Sequence, residues 1–166
     1  MIGRMTSTPP TSRQARFQAA AAAAGLSFDA PLLQGGRYVP VVVHAGQAWV
    51  SGQVPRVGAT VAVTGRVGEA VALAEAQRAA RICALRALAL LAESLGSLER
   101  IERVLRVGVF VQSAPGFTQH SEVADAASDL LHEVFGDAGV HVRTAVGVYA
   151  LPKNATVEVE MTVAVD

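Results

Sequence analysis

Charge is scarce in this 166-residue chain, and what there is cancels. Charged residues make up 17%, with 14 lysines and arginines against 14 aspartates and glutamates, so the formal net charge is zero. Without a basic excess there is no global field to draw in RNA, DNA or an anionic membrane, and neither partner is expected. Aromatic residues are only 5%. A single cysteine, Cys83, excludes an internal disulfide and fits a reducing compartment, hence an expected cytoplasmic location. No apolar run approaches the length of a membrane span. The four histidines, His44, His120, His132 and His141, have no metal-ligand spacing, and no metal site is expected.

Hydrophobic residues, in contrast, make up 51%. The length fits one domain with a sizeable core. So little charge on so small a domain suggests apolar surface buried against another subunit. Residues 1–30 read as an N-terminal extension. It carries Arg4, Arg13 and Arg16 with no acid before Asp29, a transit-peptide-like composition. Alanine excess runs through the whole chain, however, so the plainer expectation is a disordered start at 6–12 and a short helix over 12–24. Pro31 and Gly35-Gly36 close this segment, and residues 31–166 form the domain.

Within the domain, residues 38–44 and 47–53 are β-branched runs separated by Gly46, a hairpin pattern. Residues 54–68, rich in glycine and proline, read as a flexible connector with a short strand near 61–63. The glycines there lack the Gly-Lys-Ser/Thr ending of a phosphate loop. Residues 69–95 are the longest helical pattern, with Ala76, Ala80, Cys83, Ala84, Ala87, Leu88 and Leu91 on one stripe and Arg78, Arg81 and Arg86 mainly outside it. Cys83 on that stripe reads as packing. A valine strand over 103–112 and a second helix over 117–135, ended by Gly136, follow. The order β-β-(β)-α-β-α-β-β implies an α+β sandwich, a mixed sheet with two helices on one face.

The last stretch, 141–163, reads as a closing β-hairpin. Val157, Val159, Met161, Val163 and Val165 alternate with Glu158 and Glu160, and Val142, Val146 and Val148 alternate with Arg143, Ala145, Gly147 and Tyr149. Keeping the valine faces together places the valines on the helices and Arg143 with Glu158 on the opposite face. Alanine and glycine beside an arginine suit close approach of another surface, so a second copy of the chain is expected to cover it in a closed oligomer.

Val50-Ser51-Gly52-Gln53, the strand 104–111, Ala127-Ser128-Asp129-Leu130-Leu131, Phe135-Gly136-Asp137, His141-Val142-Arg143 through Leu151-Pro152, and Val157-Glu158-Val159-Glu160 together resemble the RidA/YjgF family, also called endoribonuclease L-PSP. The Ser-Asp-Leu-Leu, Phe-Gly and His-x-Arg details resemble a divergent YjgF-like branch. The resemblance implies a chorismate-mutase-like fold, a homotrimer with ligand clefts between subunits, and no cofactor. It also implies hydrolytic deamination of reactive imines and enamines, such as 2-aminoacrylate, to 2-oxo acids and ammonia.

Carried over by motif, Arg143 holds the substrate carboxylate, Glu158 positions or activates water, and Tyr38 and Ser51 line the cleft. Two departures stand in the same motifs: Ala145 occupies a cysteine position and Asp125 an asparagine position. The alternatives are that Arg143 forms a structural ion pair with Glu158, Glu160 or a neighbour's acid, that Tyr38 is packing, and that Glu160 is a structural or rim charge. Ser51 has no His-Asp partners to make it a nucleophile. At the level of function the competing expectations are a deaminase, a non-catalytic trimer that binds small carboxylates, and an endoribonuclease.

Overall fold

Valine-rich segments pair into one five-stranded sheet in the computed structural model, which describes residues 11–32 and 36–166. In chain order the elements are α1 (Arg13–Ala23), β1 (Val41–His44), β2 (Gln47–Gln53), β3 (Arg56–Val57), β4 (Thr60–Val61), α2 (Leu73–Leu95), β5 (Ile101–Gln112), α3 (His120–Phe135), β6 (Val142–Val148) and β7 (Val157–Val165). The sheet order is β1-β2-β7-β5-β6, and β3 and β4 form a separate two-stranded sheet. This is the expected α+β sandwich, with α2 and α3 against one face of a mixed sheet. The helix expected over 12–24 forms as α1, capped by the Ser12 hydroxyl on the Ala15 amide. It buries Phe17, Ala20 and Ala21 and packs across α3 and α2, a third helix in the helical layer. The expected unstructured start falls largely outside the described residues, as does Gly35.

The closing hairpin does not form. β6 pairs parallel with β5, and β7 pairs antiparallel with the other edge of β5, so β5 lies between the two arms. The physical reason is the β5–α3–β6 crossover, which delivers β6 parallel to β5. Eight residues (149–156) then carry the chain over the end of β5, more than a tight hairpin uses. Buried Gln112 clamps this crossing: its Oε1 accepts from the Leu151 amide at 3.1 Å and its Nε2 donates to Asn154 Oδ1 at 2.8 Å.

The pairing reverses the faces of β6. Arg143 lies opposite Val107 and Ala145 opposite Val109, both buried under the helices. Cross-strand partners share a face, so Arg143 points at the helical layer. Val142 and Val146 point away from it, 65% and 40% exposed. β7 keeps the expected sides, with its valines and Met161 buried and Glu158 opposite Phe110 on the open face.

Two further expectations change. Residues 54–68 are pinned, not slack: Val63 and Val67 are buried, and the Val67 amide donates to the Gln112 carbonyl at 2.9 Å. Arg86 is not on an outer flank. It is 4% exposed, because the 55–71 segment covers a side of α2 that the one-stripe pattern leaves to solvent. Among the described residues, no helix is long and apolar enough to cross a membrane.

Replacing Gln112 by alanine is expected to lower the unfolding free energy by about 1–3 kcal/mol. Urea denaturation checks this; an unchanged midpoint would remove the clamp from the account.

Candidate functional site

The expected site residues fall into two groups. Tyr38, Ser51 and Glu158 line one cavity of ≈ 230 Å³, together with Gly52, Arg56 and Arg86. It opens where the register of β2 on β7 shifts between Val50 and Gln53. A bulge there frees Gly52, and the Glu158 carboxylate lies so close over it that any Cβ would collide. Burial first, and the neighbouring Glu160 second, push the Glu158 carboxyl above its usual range. Glu160 is more exposed and lies over Gly108, where a Cβ would come within 2.9 Å of its carboxylate. Tyr38 is half exposed at the rim. The Ser51 hydroxyl accepts from Gln53 Nε2 at 3.2 Å.

The second group lies where edge strand β6 meets α3. Arg143 Nη1 donates to Asp125 Oδ1 at 2.9 Å and to Ser128 Oγ at 3.0 Å. Its Nη2 reaches the Ser121 carbonyl at 3.4 Å. Asp125, expected to line the cleft, is thus the arginine's counter-ion. Ser128 is also 3.0 Å from His141 Nε2, and His141 Nδ1 lies 2.6 Å from the Gly139 carbonyl. That carbonyl fixes Nδ1 as the donor, leaving Nε2 to accept from the serine. Burial, and then the Arg143 charge, work against protonation of His141, so its pKa lies below the usual histidine value. Ala145 packs against the core. Gly147 leaves room for His120, hydrogen-bonded to Ser113 at 3.1 Å; a Cβ there would meet both, at 2.7 and 2.8 Å.

Within one chain the groups do not converge. Glu158 and Arg143 lie on opposite faces of the sheet with β5 between them. Cys83 is fully buried, its Sγ 3.6 Å from the Val157 carbonyl, and burial pushes its thiol pKa up, as packing requires and reactivity does not. A larger cavity of ≈ 510 Å³, between α1 and the end of α2, holds none of the expected residues.

Comparison with known proteins places this architecture. Residues 18–164 match the family described as YjgF/chorismate mutase-like, putative endoribonuclease. The chain belongs to this family. It is 40% identical over 140 residues to protein TCP17 of Trypanosoma cruzi, covering 84% of this chain and 88% of that one. It is also similar to the crystal structure of Atu1372, a protein of unknown function from Agrobacterium tumefaciens, at 37% identity and TM-score 0.83, over 93% and 96% of the two chains. A putative endoribonuclease from Shewanella oneidensis MR-1 superposes with TM-score 0.83 at 29% identity, over 90% and 99%.

The YjgF motifs of this chain thus divide between two places: Ser-Gly-Gln with the first glutamate of Val-Glu-Val-Glu at the cavity, and Ser-Asp-Leu-Leu with His-x-Arg at the β6–α3 edge. Three residues carry more than the sequence reading assigns them. Ser128 stands only as a motif letter and His141 only as a weak candidate for the cleft mouth, yet both meet at Arg143. Arg86 reads as a flank charge on the one-stripe pattern, although it is the only charged residue across 82–92, a signal that it is held inside.

The raised carboxyl of Glu158 has a signed consequence. Its folded pKa lies above the unfolded value, so folding binds extra proton between the two, and stability falls as pH rises through that window, from near 4.5 upward. Glu158→Gln should flatten this fall and leave the protein more stable than the parent at neutral pH. Thermal melts at several pH values measure it; parallel curves would show that the carboxylate is not desolvated.

Proposed function

We propose that this chain is a cofactor-independent cytoplasmic hydrolase that converts small reactive 2-imino and enamino acids, such as 2-aminoacrylate and 2-iminobutanoate, to 2-oxo acids and ammonia. The observation that carries the reading is Glu158, a carboxyl raised in pKa and held over Gly52 in a cavity rimmed by Tyr38 and Ser51. A carboxylate poised nearer to neutrality is suited to taking a proton and returning it. It would accept a proton from water as the oxygen attacks the imine carbon. With the imine protonated at the outset, it would then deliver that proton to the nitrogen of the carbinolamine and take up the hydroxyl proton as the C–N bond breaks, releasing ammonia and leaving the carbonyl.

The site is proposed to complete between subunits of a homotrimer. Opposite faces of one sheet cannot serve one ligand, but the cavity of one subunit can face the Arg143 edge of the next. The exposed apolar residues of the open face, Trp49, Val42, Val142 and Val146, support burial against another copy. The Arg143–Asp125 pair is 21% and 56% exposed. Such a pair is worth about 0–1 kcal/mol, so a substrate carboxylate can displace Asp125 at small cost.

The pairing of Arg143 with Asp125 also favours a second reading, a non-catalytic trimer that binds small carboxylates. Endoribonuclease activity, named for the Shewanella relative, is opposed by the zero net charge and sparse aromatics.

The imine is generated in situ and trapped with semicarbazide. The protein should compete with the trap, and Glu158→Gln should lower the rate by about 100- to 10,000-fold. No competition, with tight 2-oxo acid binding, would favour the binding trimer. Activity unchanged in Arg143→Ala would remove that arginine as carboxylate anchor. Light scattering should give the mass of three chains; a monomer would sink the intersubunit site.

A further inference from the structure

We propose that Arg86 is an anion anchor built into the Glu158 cavity, and that its ligand is a small carboxylate. That this ligand is the substrate rests on the function proposed above; that it binds does not.

Arg86 is 4% exposed as a residue. Its Nη1 donates to the Arg56 carbonyl at 3.1 Å, but its Nε meets no acceptor among the described residues. Nε of Arg56 is buried and unpartnered in the same way. The ion pairs among the described residues are Arg81–Glu133, Arg100–Asp166 and Arg143–Asp125, so neither arginine has a counter-ion. Glu158 shares the cavity but is paired with neither of them.

A buried cation without a counter-charge is costly, and arginine does not escape by losing its proton. Burial, and next the Arg56 charge, work against the Arg86 cation. Water can satisfy a donor but supplies no negative charge. The cavity lining sets Arg56, Arg86 and Lys153 against Glu158 alone, leaving a positive balance. An anion in the cavity removes that imbalance.

The chemistry of the lining selects the anion. The planar guanidinium matches the two oxygens of a carboxylate. At ≈ 230 Å³ the cavity lies below the roughly 300–1,000 Å³ of drug-sized sites. Leu90, Pro40 and the Tyr38 ring offer apolar contact to a short aliphatic tail. A two- to five-carbon acid fits this description and a nucleotide does not. The anchor and Glu158 belong to one chain, so the subunit that carries the proton-transferring group would also draw in the carboxylate end of a ligand, which Arg143 of the next subunit would then share.

The test uses the whole protein and 2-oxobutanoate, an unreactive carboxylate, read by calorimetry and thermal shift. The parent should bind it and melt higher with increasing ligand. Arg86→Met should bind about 10- to 100-fold more weakly, while melting at or above the parent temperature without ligand, because an unpaired buried charge is gone. A merely structural arginine would instead lower that melting point. Arg81→Ala, on the same helix but outside the cavity, should bind as the parent does. If Arg86→Met does not fold, Arg86→Lys gives the comparison, keeping the charge and losing the fork; a tenfold loss supports the anchor and parental binding overturns it. Parental affinity in Arg86→Met, no binding of 2-oxobutanoate by the parent, or binding of inorganic phosphate alone overturns the proposal. Imine hydrolysis is scored separately: its absence with Arg86-dependent binding removes the function above and leaves the anchor standing.

Discussion

The position of β5 between β6 and β7 is the constraint from which the rest of the arrangement follows. β5 is the longest strand, and Val104, Val107, Val109 and Val111 are fully buried under the helices. Its two edges accept different partners: a parallel one brought back by α3, and an antiparallel one that arrives after crossing its end. This turns the sides of β6 over relative to a hairpin. Arg143 therefore meets Asp125 and Ser128 on α3, while Glu158 stays on the open face. The Gln112 side chain, bonded to both Leu151 and Asn154, holds the crossing in place and with it the separation of the two charges.

Local pattern was legible in the sequence, and partner choice was not. The strands of the closing segment, the buried faces of β7 and α3, the helix near 12–24 and the α+β class all follow from periodicity and breakers, because each depends on residues near one another in the chain. The hairpin failed because adjacency along the chain was taken for adjacency in the sheet. Eight connecting residues and a preceding strand–helix unit both pointed to a crossover. Arg86 was misplaced for a related reason. A single-stripe reading of α2 assumes that one face is wet, and only the fold reveals that the 55–71 segment covers the other flank. The YjgF motifs were readable as letters, but their division between two faces was not, since it depends on β5.

The two arginines differ in what an arriving anion would gain. Arg143 already spends its donors on Asp125, Ser128 and the Ser121 carbonyl. A carboxylate arriving there exchanges one ion pair for another, and the net gain is the difference between them. Among the described residues, Arg86 has one hydrogen bond, to a neutral carbonyl, and no counter-ion. An anion arriving at Arg86 would displace no acid among the described residues and would also relieve the repulsion from Arg56. Under the proposed function, the uncompensated arginine would supply affinity for a small acid. The compensated one would supply a switchable contact, with Asp125 returning to its partner once a product leaves. One guanidinium held on α2 under the 55–71 segment and one on edge strand β6 thus suit two different tasks, and the seating of β5 assigns the second of them.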